Sequence, residues 1–173
     1  MMGAARSRLA SMEAEFLRSL SSGGPFAAGS DRRGMQATSK LLWAKRVRSM
    51  AKAWPELASL LGTGLTERAA EVLAGTSLAA GDHALQDGLL LALDLKATGP
   101  IPDNLRLKLL AVRVHHRWHR GHLARRSGPA LGCTYLRQSR RLVCALRLPG
   151  LRPLTISIVT HGPGDNLGRA VAR

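Results

Sequence analysis

The stretch Leu142-Val143-Cys144-Ala145-Leu146-Arg147-Leu148, followed after Pro149-Gly150-Leu151-Arg152-Pro153 by Leu154-Thr155-Ile156-Ser157-Ile158-Val159, decides the fold class. Leu142, Cys144, Leu146 and Leu148 alternate with other residues, and the second run alternates more cleanly, which is the period of a strand. Upstream, Pro129 to Leu136 reads as a further strand, with Gln138 to Arg141 as the intervening turn. The three form an antiparallel meander. A three-stranded sheet needs a covering layer to bury one face. The nearest candidate is a helix opened by Pro102 or Asp103 and running to about His119, with the change from helical to strand period placed at Ser127.

Everything before that helix reads as helical. Leu9, Met12, Phe16 and Leu20 give a short first helix, stopped by Ser21-Ser22-Gly23-Gly24-Pro25. Asp31 is placed to cap a longer second helix, along which Trp43, Val47, Met50 and Trp54 form one apolar stripe. Lys45, Arg48 and Lys52 repeat on another face, where solvation explains them better than ligand contact. Pro55 ends that helix and starts the next, carrying Leu57, Leu60 and Leu61 up to Gly62. A fourth helix starts at Thr63 or Thr66, carries Ala69, Val72 and Leu73, and closes at Gly75. A fifth runs from an Asp82 cap to Gly99 with Leu85, Leu89 and Leu93 on one side. The expected fold class is α+β: an N-terminal helical bundle (1–99), then a small module (100–173) of one helix and a three-stranded antiparallel meander. The tail after Thr160 is rich in glycine and is expected to be loose.

Charge divides the chain at nearly the same place. The whole sequence of 173 residues carries a formal +15. Residues 1–103 hold 12 Lys/Arg and 10 Asp/Glu, a net of +2, whereas residues 104–173 hold 14 Lys/Arg against Asp165 alone, a net of +13. An ordinary solvated domain is thus followed by a basic module, and its partner is acidic: nucleic acid, anionic membrane, acidic peptide or acidic protein face. Early acids at Glu13 and Glu15 rule out a signal-peptide core, and the longest apolar run, Leu89 to Leu93, is far too short to span a bilayer. A soluble cytoplasmic protein with no membrane partner is expected. Cys133 and Cys144 would lie almost opposite each other across the turn near residue 139; a bridge is geometrically allowed, while a reducing cytoplasm favours two small thiols.

The densest cluster is Arg113-Val114-His115-His116-Arg117-Trp118-His119-Arg120-Gly121-His122. On a continuous helix His115, His119 and His122 share one face, a geometry that can hold zinc. Arg113, Arg117, Arg120, Arg125 and Arg126 crowd that face, with no carboxylate to offset a dication, so a basic titratable surface is the better reading and neither metal nor other cofactor is expected. Acidic residues are scattered singly, without a pair set for acid–base work. Nucleophile-elbow, phosphate-loop and Cys-x-x-Cys signatures are absent, so an enzyme is not expected. Two binding modes remain. The segment 113–126, with Trp118 among arginines, can lie on phosphates or stack on a base. Alternatively, an edge strand of the meander accepts an extended peptide, with Tyr135, Arg137, Arg147 and Arg152 as contacts and the arginines pairing its acids.

The run Arg46-Val47-Arg48, Ala53-Trp54-Pro55-Glu56-Leu57 and Leu60-Leu61-Gly62 resembles the pattern of small helical proteins labelled "putative DNA-binding domain", which are similar to the partner protein of methanobactin biosynthesis. Arg125-Arg126-Ser127-Gly128-Pro129-Ala130-Leu131 and Leu146-Arg147-Leu148-Pro149-Gly150 are similar to an actinobacterial branch of that group. The resemblance implies a non-catalytic partner that binds a ribosomal precursor peptide and presents it to a multinuclear non-heme iron oxidative enzyme. Arg113, Arg117, Trp118 and Arg120 are then assigned to partner contact. Trp54, Pro55 and Gly62 are then structural, and nucleic-acid binding through 113–126 is the alternative.

Overall fold

The computed structural model describes residues 32–74, 76, 83–119, 121–151, 154–159 and 170–172. Among the described residues helices come first and strands last, and the chain divides into two compact units, 1–87 and 88–173. The predicted helix at 9–20, the Asp31 and Asp82 caps and Gly75 lie outside the described residues.

In the first unit, helix α1 (Arg32–Ala53) carries the apolar stripe as expected: Val47 and Met50 are buried, and Trp54, just beyond its end, is fully so. The indole Nε1–H of Trp54 donates to the Leu85 carbonyl at 3.1 Å, which satisfies the ring's polar atom inside the core. Pro55 opens helix α2 (Pro55–Leu61), where its missing N–H costs nothing. Gly62 ends α2 at φ +51, and its N–H bonds back to the Ala58 carbonyl. A short 3-10 turn (Gly62–Gly64) leads to α3 (Leu65–Leu73), which buries Leu65, Ala69 and Leu73. Each large aliphatic side chain so buried contributes about 1.5–3 kcal/mol.

That unit also encloses an ion pair. Arg46 and Asp87, with side chains 7 % and 4 % exposed, meet through two bonds: Nε to Oδ2 at 2.6 Å and Nη2 to Oδ1 at 2.7 Å. Arg46 donates further to Thr76 Oγ1 at 2.9 Å and to the Thr76 carbonyl at 3.3 Å, and its guanidinium lies 5.7 Å from the Trp43 ring. Nearly every donor of the guanidinium is thereby used, the condition under which a buried charge is tolerated.

Helix α4 (His83–Thr98) contains the boundary between the units; in the second, Leu89, Leu91 and Ala92 are buried while Leu93 is 38 % exposed, so the buried stripe is rotated from the expected one. Helix α5 (Asp103–His115) begins where Pro102 predicts but ends four residues early. His116 is already extended, at φ −129 and ψ 160, and the chain turns into an antiparallel hairpin of β1 (His116–His119) and β2 (His122–Arg125). Gly121, at φ +80, makes the turn, a conformation open to glycine. The expected helical face bearing His115, His119 and His122 therefore does not form. His115 ends the helix, and His119 and His122 pair across the hairpin with ring centroids 5.9 Å apart.

Three further strands follow as the alternation predicts: β3 (Ala130–Leu136), β4 (Arg141–Arg147) and β5 (Leu154–Val159), antiparallel in that order. A fourth, β6 (Ala170–Ala172), pairs with β5 inside the tail expected to be loose. Cys133 lies opposite Cys144, their Cα atoms 4.1 Å apart, and the two form a disulfide. Among the described residues there is no free cysteine, so the two-thiol reading gives way to the bridge.

Helix α5 covers one face of this sheet. Leu110 and Val114 pack with Leu136, Val143 and Ala145, while Ala130 lies half-buried against them. Gly132 sits under the helix: a Cβ there would stand 2.7 Å from Leu110 Cδ1 and 3.1 Å from Val114 Cγ2. The register puts Leu131, Cys133, Tyr135, Leu142, Cys144, Leu146, Leu154, Ile156 and Ile158 together on the opposite face. Leu131 (71 %) and Tyr135 (45 %) are open there. The more apolar set of alternating residues is thus turned away from the helix; the smaller Gly132, Val143 and Ala145 let α5 approach closely.

Candidate binding groove

The end of α5 explains where the arginines go. Its last carbonyls have no partner within the helix. The His115 carbonyl accepts the Arg126 backbone N–H at 2.8 Å and Arg147 Nη1 at 3.0 Å. Arg126 Nε lies 3.0 Å from the His116 carbonyl and 3.3 Å from that of Arg113. Two guanidinium groups therefore hold the negative end of the helix, where cations are favoured. At the other end Arg106 Nε donates to the Ile101 carbonyl at 3.0 Å, and Asp103 Oδ2 accepts the Ser139 N–H at 3.0 Å and its hydroxyl at 3.1 Å. Burial pushes the Asp103 carboxyl up, but hydrogen bonds from the Ser139, Gln138 and Arg137 backbones and the Ser139 hydroxyl outweigh it and hold the carboxyl below its ordinary value. Burial, with Arg147 and Arg125 nearby, lowers the His115 imidazole.

Between the hairpin, α5 and β3 lies a groove of about 690 Å³. Its walls include Leu109, Val112, Leu123 and Leu131, and its cations are Lys96, Arg106, Arg113, Arg117 and Arg126, with no carboxylate among the lining residues. Neither Arg113 nor Arg117 takes part in either salt bridge found among the described residues. Trp118, 46 % exposed, stands beside them. Such a surface suits a ligand that is anionic and partly apolar.

One wall is a strand edge. β3 pairs only with β4 among the described residues, and its Leu131–Thr134 stretch lines the groove. The 4.1 Å Cα separation at Cys133 and Cys144 marks a narrow, non-hydrogen-bonded pair. The backbone N–H and C=O of Cys133, and by alternation those of Leu131 and Tyr135, consequently point away from β4. Consistent with that register, the Tyr135 carbonyl receives Arg106 Nη1 at 3.5 Å.

Arg113, Arg117 and Trp118, expected at a partner contact, therefore line one groove. Tyr135, Arg137 and Arg147 are not gathered: Tyr135 is on the open sheet face, Arg137 is exposed just past β3, and Arg147 donates on the helix side. Arg120 and Arg152 lie outside the described residues. Arg126, at the end of the basic segment 113–126 read as the alternative binding surface, lines the groove too; Lys96 and Arg106 were missed in the sequence because their place depends on the fold around the hairpin, whose only local signal is Gly121. Among the described residues no group of three His, Cys, Asp or Glu gathers into a metal site, and no helix is long and apolar enough to cross a membrane.

A family model described as SCO6045-like, C-terminal domain matches residues 10–97, half of the chain. The chain belongs to that family. The SCO6045-like region takes in α1 to α3 and nearly all of α4, and ends before α5 and the six strands. Of the groove's residues only Leu89, Leu93 and Lys96 fall within it. No curated protein and no solved structure matches the chain.

Proposed function

We propose that this protein is a non-catalytic partner protein that binds an extended acidic peptide along the free edge of β3. The observation carrying this reading is the groove itself: five cations without a carboxylate beside outward-pointing backbone groups of a strand edge. An added strand takes its affinity from main-chain hydrogen bonds and its selectivity from side chains on alternate positions. Acids on such a strand meet Arg113 and Arg117, and Trp118 and Leu131 offer apolar contact. The resemblance of Arg46–Gly62 to methanobactin-type partner proteins extends the proposal: the peptide is a ribosomal precursor, and the helical bundle docks a multinuclear iron enzyme. Exposed Trp118 beside Arg117 favours a second reading, in which the same groove takes a single-stranded nucleic acid.

Fluorescence anisotropy with a labelled Glu/Val octapeptide and with a labelled oligonucleotide of equal charge, at about 150 mM salt where the Debye length is about 8 Å, separates the two. Tighter binding of the peptide supports the first reading. Tighter binding of the oligonucleotide, with affinity falling steeply as salt rises, replaces it by the second.

A further inference from the structure

The free edge of β3 divides two unlike faces. Gly132 and Thr134 point toward α5, since a Cβ on Gly132 would meet Leu110 and Val114 of that helix and Thr134 is the next residue of the strand on the same side. The groove cations stand on that side. Arg106 and Arg113 lie two turns apart on α5, about 10 Å, and Arg106 Nη1 reaches the Tyr135 carbonyl at 3.5 Å, which sets its guanidinium beside the edge. Arg113, Arg117 and Lys96 are exposed and take part in no salt bridge among the described residues. Leu131, Cys133 and Tyr135 point the other way, onto a face where no residue of β3, β4 or β5 is charged. Leu131, Tyr135, Leu154 and Ile158 are exposed there.

Neighbours across a β ladder point to the same face, so a strand added to this edge sends its side chains alternately to the two sides. Residues opposite Gly132 and Thr134 reach toward the cations. Residues opposite Leu131, Cys133 and Tyr135 join the apolar face. We propose that the β3 edge selects a peptide strand in which acidic and apolar residues alternate, with acids opposite Gly132 and Thr134 and apolar side chains opposite Leu131, Cys133 and Tyr135. This rests on the reading of β3 as a peptide-binding edge and adds the pattern that such an edge demands. Composition alone is then insufficient. A peptide with its acids in one block places half of them against Leu131 and Tyr135, where no cation of the sheet answers them. A slip of one residue moves every side chain to the other face, so the alternation also fixes the register.

The test uses the full-length protein and two labelled octapeptides of identical composition, one alternating Glu with Val and the other with four Glu followed by four Val. Anisotropy gives the affinities, and amide hydrogen exchange gives the place of binding. The alternating peptide is expected to bind about tenfold tighter, since each favourable same-face pair contributes a factor of about 1.5 to five, and to protect the Leu131, Cys133 and Tyr135 N–H groups. Arg113→Glu/Arg117→Glu should weaken its binding and remove most of the salt dependence. Leu131→Ser/Tyr135→Ser should weaken it by roughly threefold or more with the salt dependence intact, as two separate faces require. Circular dichroism confirms that each variant is folded, and the two peptides on the unaltered protein decide without them. Equal or tighter binding of the block peptide, with the same three N–H groups protected, overturns the alternating pattern and leaves strand addition standing. No protection with either peptide overturns both.

Discussion

Removing the carboxylate of Asp87 is the sharpest perturbation of the helical unit. Asp87→Ala leaves the Arg46 guanidinium, 7 % exposed, with the two Thr76 oxygens as its remaining hydrogen-bond partners among the described residues. Breaking one side of a buried pair typically costs about 3–5 kcal/mol, because the remaining charge stays desolvated. Against a total stability of about 5–15 kcal/mol that is a large fraction, and at about 4 °C per kcal/mol it lowers Tm by roughly 12 °C or more. Urea titration followed by tryptophan fluorescence suits the measurement, since Trp43 lies 5.7 Å from the Arg46 guanidinium and Trp54 is fully buried in the same unit. The paired replacement Arg46→Met/Asp87→Leu is expected to recover most of the loss, because it removes both charges together. A cost below about 1 kcal/mol for Asp87→Ala, the value of a solvent-exposed pair, would refute the reading of this pair as buried and mutually dependent.

Other outcomes follow from single contacts. Gly132→Ala sets a methyl group 2.7 Å from Leu110 Cδ1, and denaturation should show a loss of about 1–3 kcal/mol, partly relieved when Leu110 is also shortened to Val. Asp103 has a depressed folded-state value, so its carboxylate stabilises fully above the unfolded pKa of about 3.9, and that contribution is lost as pH falls through the folded value. Asp103→Asn should flatten the acid limb of a Tm–pH profile in that window and leave neutral pH less affected. His115 is also lowered, so the unfolded chain binds its proton first, and stability falls as pH drops from about 6.5 toward the folded value. His115→Gln should remove that part of the slope.

Much of the architecture was legible because it is local. Period-two alternation located β3, β4 and β5 to within a residue at each end, and their turn placed Cys133 opposite Cys144. Trp54-Pro55 and Gly62 mark helix ends by backbone rules that need no tertiary context. The reading failed where two periods compete. His115, His119 and His122 fit a helical face, yet Gly121 turns the chain and a hairpin takes the segment, with Arg126 and Arg147 satisfying the helix end. Which sheet face meets α5 was not legible either, because the helix selects small residues at Gly132 and Ala145 rather than the larger apolar set. The Arg46–Asp87 pair joins residues 41 apart and leaves no trace in spacing. The groove inherits these gaps: Arg113, Arg117, Trp118 and Arg126 stood out as one basic segment, while Lys96 and Arg106 join them only through the fold.

Amide hydrogen exchange on the chain with and without a saturating Glu/Val octapeptide reports directly on strand addition at β3. Binding at the edge predicts that the Leu131, Cys133 and Tyr135 N–H groups, which point away from β4, become protected, whereas those of Gly132 and Thr134, already paired with β4, change little. Unchanged exchange at Leu131, Cys133 and Tyr135 while the peptide is bound would contradict it.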